Sequence, residues 1–164
     1  MTYERHRQAG GSNSAQNQYQ SRIDAFPLLA HSLAMDSRQR SAVEPSLVSV
    51  VDDDQSVRES LPDLLRVFGF AACAFSSAEE FLASDCVGQT RCLVLDIAMP
   101  GMSGLELQRE LKLRGQEIPI VFITARRDET IRPRALEQGA VECLFKPFSD
   151  TALLQALNAA LQVS

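Results

Sequence analysis

Five short apolar segments, each separated from the next by more than a dozen residues, constrain the fold of this chain more than any other feature. They lie at residues 47–51, 70–75, 92–95, 118–124 and 141–145. Apolar runs of this length are typical of strands that are buried on both faces of a sheet. The stretches between them are too long for hairpins and long enough for crossover helices, so the strands are expected to run parallel.

The stretches between the predicted strands carry the periodicity of amphipathic helices. From Val57 to Phe68, for example, apolar residues recur at helical spacing. Asp54 or Ser56 is expected to cap this helix, and Pro62 is expected to kink it. Repeated strand and helix units predict an α/β fold, namely a doubly wound, flavodoxin-like sheet with five helices. The expected sheet has five parallel strands in the order 2-1-3-4-5.

The apolar pattern begins at Ser46 and divides the chain into two parts. Residues 1–45 are rich in Ser, Gln and Asn, and we interpret them as a disordered or weakly structured tail. Met35 is a second candidate translation start, which the intact mass of the native protein would test. The folded domain is predicted over residues 46–164. Both histidines lie in the tail, which excludes histidine-based catalysis or metal binding in the domain.

Charge and hydropathy exclude several classes of function. The net charge is -5 and lysine occurs only at positions 112 and 146, so charge gives no support for nucleic-acid binding and no nucleic acid is a predicted partner. No apolar run approaches the ~20 residues needed to cross a bilayer, and the expected location is the cytoplasm. The four cysteines form no C-x-x-C motif, and we interpret them as reduced structural residues.

Polar residues follow the predicted strands where each strand ends. Asp52 and Asp53 follow the first strand, Asp96 ends the third, Thr124 ends the fourth and Lys146 follows the fifth. Open α/β sheets bind ligands along this carboxyl edge, where the strand order reverses. The acid pair is expected to face Asp96 across about 5 Å, the spacing of neighbouring strands. Thr124 and Lys146 are expected to converge on Asp96 from the strands beyond it.

This set of residues suits phosphoryl transfer to a carboxylate. Three aspartates and one lysine sum to -2, and a divalent cation would bring that sum to zero. Oxygen ligands without His or Cys favour Mg²⁺ over Zn²⁺. Asp96 is the expected nucleophile, Lys146 would neutralise phosphoryl oxygens together with the cation, and the Thr124 hydroxyl would donate to one of them.

Several separate motifs in this chain recur together, in the same order, in one known family. They are Val51-Asp52-Asp53-Asp54, Leu93-Val94-Leu95-Asp96, Met99-Pro100-Gly101-Met102-Ser103-Gly104, Ile123-Thr124-Ala125, Gly139-Ala140 and Phe145-Lys146-Pro147-Phe148. Over about residues 46 to 161 the chain resembles the receiver domains of two-component response regulators. It is most similar to the nitrogen-fixation regulator branch, whose members usually carry a carboxyl-terminal helix-turn-helix that this chain lacks.

The resemblance implies roles for particular residues. Asp96 would accept a phosphoryl group from a sensor histidine kinase or a phosphotransfer protein. Asp52, Asp53 and Asp96 would hold Mg²⁺ together with the backbone carbonyl of Ala98. Thr124 and Lys146 would read the phosphorylated state, and the peptide bond from Lys146 to Pro147 would be cis.

The resemblance also implies how such a chain would act. We expect a single-domain response regulator that catalyses only its own phosphorylation and dephosphorylation and signals through an unknown output protein. A homodimer through the fourth helix, fifth strand and fifth helix is one route that the resemblance leaves open. The family usually has an aromatic residue three positions before the lysine, and here that position is Cys143. The usual aromatic readout is therefore not expected in this chain.

Two other functions stay open on the sequence. A degenerate receiver would act as an interaction module without phosphorylation. A haloacid dehalogenase-type phosphatase would use Asp52 as its nucleophile, because Asp52-x-Asp54-x-Ser56 after an apolar strand resembles the opening motif of that family. That family needs further acids after its lysine, and only Asp150 follows Lys146 here.

Overall fold

Strands and helices alternate along residues 44–163, the part of the chain that the computed structural model describes. The strands are β1 (Leu47–Val51), β2 (Ala71–Phe75), β3 (Thr90–Asp96), β4 (Ile120–Thr124) and β5 (Glu142–Phe145). The helices are α1 (Gln55–Val67), α2 (Ala78–Ala83), α3 (Gly104–Leu113), α4 (Ile131–Glu137) and α5 (Asp150–Val163), and a 3-10 turn at Val87–Gln89 precedes β3. The tail predicted over residues 1–45, apart from its last two residues, and the start predicted at Met35 lie outside the described residues.

The five strands form one parallel sheet in the order β2-β1-β3-β4-β5, which confirms the predicted fold class. β1 pairs with both β2 and β3, so Val51 lies between Phe75 and Leu95. On the next two pairs, Asp96 lies opposite Ile123 and Thr124 opposite Phe145. The strands therefore end at nearly the same level, which places the residues that follow them along one edge.

Alternating strand residues build one hydrophobic core on each face of the sheet. Val50 and Val94 point into the core under α1 and α5, where Leu61 and Leu157 are fully buried. The opposite face carries α2, α3 and α4, whose buried side chains include Phe81. Burial on both faces explains why the strands read as continuous apolar runs in the sequence.

Helix α1, which follows the acidic residues after β1, begins at a polar cap. Asp54 is the N-cap of α1, and its carboxylate accepts hydrogen bonds from the Ser56 backbone N–H at 2.9 Å and from the Ser56 hydroxyl at 2.8 Å. This confirms Asp54 as one of the two predicted caps. α1 continues through Pro62 as a single helix.

Within the described residues, no helix is long and apolar enough to cross a membrane.

Candidate functional site

Three carboxylates meet at the carboxyl edge of the sheet, between β1 and β3. One carboxylate oxygen from each of Asp52, Asp53 and Asp96 lies within 4.8 Å of the other two. Asp52 and Asp53 follow directly after β1, and Asp96 is the last residue of β3. The structure therefore brings together the three acidic side chains that the sequence placed at this edge.

Asp52 is the fully enclosed member of the cluster, with an exposed fraction of 0%. One carboxylate oxygen accepts a hydrogen bond from the Asp54 backbone N–H at 2.9 Å. The other forms an ion pair with the Lys146 ammonium at 2.7 Å. Both oxygens therefore have partners inside the protein, as a buried carboxylate requires.

The partner of Lys146 differs from the sequence-based expectation. Lys146 was expected to converge on Asp96, but its ammonium reaches past β4 and β3 to Asp52. The physical reason is burial, because an ionised carboxylate that is wholly out of water depends most on a direct counter-charge. The long lysine side chain is 19% exposed and spans the distance at the surface of the edge.

Asp96 lies in an environment that disfavours its charged form. Its exposed fraction is 5%, and no lysine or arginine forms an ion pair with it among the described residues. Burial and the neighbouring Asp52 charge raise the pKa of Asp96 to about 8, although Lys146 opposes the shift. The cluster therefore has more negative charge than its single lysine compensates.

A bound divalent cation would balance the excess negative charge of this cluster. Three carboxylates supply hard oxygen ligands, and Asp53 is exposed, which leaves one side of the cluster open to water. Mg²⁺ prefers such a site, with a few carboxylates and several retained waters. The predicted backbone ligand, Ala98, lies in the exposed loop that follows Asp96, and its role remains a prediction.

Thr124 completes the edge on the side of β4. Its side chain is fully buried, and its hydroxyl oxygen accepts a hydrogen bond from the Arg126 backbone N–H at 3.1 Å. Because Ile123 lies opposite Asp96, Thr124 extends one residue beyond Asp96 on the neighbouring strand. Thr124 therefore links the level of Asp96 to the start of the loop that leads to α4.

The first residue of α3, Gly104, has a role that sequence reasoning missed. A Cβ atom on Gly104 would lie 2.3 Å from the Asp96 carbonyl oxygen and 2.9 Å from Ile97 Cα. The Gly104 N–H also donates to the Ile97 carbonyl at 2.8 Å. The first turn of α3 therefore packs directly on the backbone that carries Asp96. The glycine at the end of the Met-Pro-Gly-Met-Ser-Gly motif was the available signal.

Beside this loop lies an open groove of about 550 Å³. Its lining residues are Ile97, Ala98, Met99, Pro100, Ser103, Leu105 and Arg126. Its lining combines residues that follow Asp96 with one cationic side chain from the β4–α4 loop. It is large enough to admit a small phosphorylated molecule or part of a partner's surface.

Two expectations from the sequence concern β5 and the residues after it, namely the peptide bond before Pro147 and the side chain of Cys143. The peptide bond from Lys146 to Pro147 is cis, as the resemblance implied. Cys143 is 3% exposed and belongs to the core on the side of α2, α3 and α4. At this position the chain has a small buried side chain packed in the core.

Comparison with known proteins places this site in a family. The model of the response regulator receiver domain matches residues 48–158. The chain belongs to this family. The matched region includes every residue of the carboxyl-edge site described above.

Relatives and solved structures support the same assignment. Nodulation protein W of Bradyrhizobium diazoefficiens is 47% identical over 117 residues, which cover 71% of this chain and 52% of that protein. The structure of the response regulator StyR matches with a TM-score of 0.68 at 50% identity, covering 74% of this chain and 61% of StyR. The FixJ-N crystal structure matches with a TM-score of 0.66 at 38% identity, covering 73% and 96% of the two chains. The chain thus spans about half the length of the curated relatives it matches.

Membership brings the general properties of receiver domains. These domains bind Mg²⁺ at an acidic pocket and interact with histidine kinases and output domains. They are generally not classical enzymes. In this receiver domain, Asp52, Asp53 and Asp96 form the acidic pocket.

Replacing Asp96 with asparagine is expected to stabilise the metal-free domain at alkaline pH. Because the folded-state pKa of Asp96 is raised above its ordinary value of 3.8, the folded protein binds the proton more tightly than the unfolded chain does. Stability is therefore lost as the pH rises from about 4 to about 8, and Asp96→Asn removes this loss. We expect a gain on the order of 2 kcal/mol at pH 8, measured by urea unfolding in EDTA.

Measuring the same variant at low pH distinguishes the effect of the Asp96 charge from a stabilisation by asparagine that does not depend on pH. At pH 4.5 the gain from Asp96→Asn is expected to shrink, because the wild-type carboxyl is already protonated in the folded state. Asp85→Asn, which alters an exposed carboxylate, is expected to leave stability unchanged at both pH values. An equal gain at pH 4.5 and pH 8 would show that the charge of Asp96 is not the cause.

Proposed function

We propose that this chain is a Mg²⁺-dependent phosphorylation switch in which Asp96 accepts a phosphoryl group from a sensor histidine kinase or a phosphotransfer protein. The observation that carries this proposal is the meeting of Asp52, Asp53 and Asp96 within 4.8 Å beside the Lys146 ammonium. Such a cluster concentrates the ligands and counter-charge that a phosphoryl group needs next to a carboxylate nucleophile. The cytoplasmic location predicted from the sequence is part of the same proposal.

Asp96 is a better nucleophile candidate than Asp52. Both oxygens of Asp52 are engaged, one by the Asp54 N–H and one by Lys146, and the side chain has no exposed surface. Asp96 retains 5% exposure, and the residues that follow it line the open groove. A phosphorylated donor can therefore approach Asp96 without breaking the ion pair that holds Asp52 in place. The same enclosure argues against the phosphatase in which Asp52 would attack.

The proposed transfer is a direct displacement at phosphorus. An oxygen of the Asp96 carboxylate forms the new P–O bond, and the P–N bond of the donor phosphohistidine breaks, leaving the electron pair on the donor imidazole. Bound Mg²⁺ would supply positive charge to the phosphoryl oxygens. Asp52, Asp53 and the Ala98 carbonyl are the proposed further ligands of the cation. Lys146 adds its own charge beside the cluster. Thr124, one residue beyond Asp96 on the neighbouring strand, is the proposed hydroxyl donor to a phosphoryl oxygen.

The proposed output is a change in the α4–β5 surface that a partner protein reads. Arg132 on α4 forms an ion pair with Glu142 on β5 at 2.8 Å, so the two elements are joined at the surface. Between them lies a groove of about 550 Å³, where the Arg127 guanidinium lies 6.0 Å from the Phe145 ring centre. This surface supports either an output protein or a second copy of the chain as the partner. Nucleic acid and membrane are not proposed as partners.

Phosphorylation by a small acyl phosphate tests the proposal directly. Incubation with acetyl phosphate and Mg²⁺ is expected to add the mass of one phosphoryl group to the wild-type protein, and EDTA is expected to prevent the gain. Asp96→Asn is expected to abolish it. Asp52→Asn is expected to slow it, because a proposed metal ligand is lost, while peptide mapping still places the phosphoryl group on Asp96.

Two results would contradict the phosphoacceptor assignment. An undiminished gain in Asp96→Asn would move the acceptor to another residue, with Asp52 the first to be mapped. No gain in the wild type, while a known receiver domain gains a phosphoryl group in the same mixture, would make this chain a degenerate receiver. Asp85→Asn serves as the control for an exposed carboxylate and is expected to be phosphorylated like the wild type.

A further inference from the structure

Two thiols that are distant in the sequence meet at the edge of the sheet away from β5. The Sγ atoms of Cys73 on β2 and Cys86 in the turn after α2 lie 3.5 Å apart. Both side chains are half-buried and carry free thiols. The other two cysteines differ, because Cys92 is 0% exposed and Cys143 is 3% exposed. The structure therefore contains one adjacent, partly accessible thiol pair and two enclosed thiols.

We propose that Cys73 and Cys86 form an oxidisable dithiol, which a small-molecule disulfide converts into an intramolecular disulfide bond. The sequence-based interpretation of four reduced structural cysteines rested on the absence of a C-x-x-C motif, on the apolar runs around three of them and on the expected cytosolic location. The fold adds the contact between these two. In a reducing compartment such adjacent thiols are used as reversible redox sites more often than as permanent crosslinks.

A hydrogen-bonded path holds the two cysteine backbones in register. Cys73 lies opposite Ser49 in the pairing of β2 with β1. The Ser49 hydroxyl forms a buried hydrogen bond of 2.7 Å with the Thr90 hydroxyl, and Thr90 donates in turn to the Cys86 carbonyl at 2.7 Å. The Cys73 backbone is therefore anchored to β1 and the Cys86 backbone to β3, and the Ser49–Thr90 hydrogen bond joins these neighbouring strands. Closing to the S–S bond length of about 2.0 Å needs a further approach of roughly 1.5 Å, which side-chain rotation and the turn at Cys86 can supply.

The proposed reaction is a thiol–disulfide exchange in two steps. The Cys86 thiol loses its proton and attacks one sulfur of the oxidant, which forms a mixed disulfide and releases the first thiol. Cys73 then loses its proton and attacks Cys86 Sγ, which forms the Cys73–Cys86 bond and releases the second thiol. Two electrons and two protons pass to the oxidant, which becomes two thiols. Burial and the adjacent Cys86 raise the pKa of Cys73, which favours Cys86 as the first to react.

The crosslink would close a covalent ring that contains α2, and it would also affect the loop after Asp96. The ring spans residues 73–86 and contains all of α2. From that helix, the Glu79 carboxylate accepts a hydrogen bond from the Met102 backbone N–H at 3.1 Å. Restricting α2 therefore restricts the partner of Met102, within the loop that joins β3 to α3. This consequence does not depend on whether Asp96 is phosphorylated.

Peptide mapping after oxidation tests the dithiol. The full chain is incubated with oxidised glutathione, alkylated with iodoacetamide and digested with trypsin. Cys73 and Cys86 lie in one tryptic peptide, residues 67–91, whereas Cys92 and Cys143 lie in two others. We expect peptide 67–91 to lose the mass of two hydrogen atoms and to resist alkylation. Cys73→Ser is expected to stop at a mixed disulfide on Cys86, and the matched control Cys143→Ser is expected to crosslink like the wild type.

Two labelling patterns would contradict the proposed dithiol. Alkylation of both cysteines in peptide 67–91, or one glutathione on each of them, would overturn the proposal. For the crosslinked protein, urea unfolding without reductant should show a folding equilibrium constant raised roughly a hundredfold, as expected for a ring of this size. Hydrogen exchange of the Met102 amide should slow.

Discussion

Replacing Gly104 with alanine is expected to destabilise the domain by about 3 kcal/mol or more. The new Cβ would lie 2.3 Å from the Asp96 carbonyl oxygen and 2.9 Å from Ile97 Cα, and both are backbone atoms. No flexible side chain can move aside, so either the start of α3 or the end of β3 must shift. Because β3 ends at Asp96, the shift also displaces the proposed phosphoacceptor.

Urea unfolding of Gly104→Ala beside Gly88→Ala measures this cost. Gly88 lies in the 3-10 turn before β3, and a Cβ there would meet nothing within 4 Å. Its replacement is expected to change the free energy of unfolding by less than about 0.5 kcal/mol. Folded Gly104→Ala is also expected to bind Mg²⁺ more weakly than the wild type. Equal stability of the two variants would show that α3 can move away from β3 without loss of packing.

Replacing Lys146 with methionine is expected to destabilise the metal-free protein by about 3 kcal/mol. The substitution keeps an unbranched side chain of similar length but removes the ammonium that lies 2.7 Å from Asp52. Asp52 is fully buried, so the variant leaves its carboxylate in the core without a counter-charge. Urea unfolding in EDTA at pH 7 is the appropriate measurement, because a bound cation would replace the missing charge.

A double variant separates the cost of the unpaired charge from other effects of the substitution. Asp52→Asn combined with Lys146→Met is expected to recover most of the lost stability, because no buried charge is then left without a partner. Lys112→Met is the matched control, since it alters the only other lysine of the chain, and it is exposed. A double variant as unstable as Lys146→Met alone would show that lysine packing, and not its charge, is what the domain loses.

The positions of the strands, and the residues that lie at the carboxyl edge of the sheet, were predictable because both follow from local patterns in the sequence. A strand buried on both faces is apolar along most of its length, so a charged residue marks its end, as at Asp52 after Val51. Parallel strands place all such ends on one side of the sheet. Asp96, Thr124 and Lys146 could therefore be assigned to one site before their distances were known. The α1 cap at Asp54 was local in the same way, since it bonds to a residue two positions away.

Contacts between residues distant in the sequence were decided by the tertiary structure. The sequence by itself determined the α/β class and the polar edge, because strand length and residue type suffice to specify them. It did not determine that Lys146 pairs with Asp52, that Gly104 packs on the Asp96 backbone, or that Cys73 meets Cys86. The choice of Asp52 depends on which carboxylate is more deeply buried, and burial is a property of the packed domain. The other two contacts require an approach of backbones that no periodicity in the chain encodes.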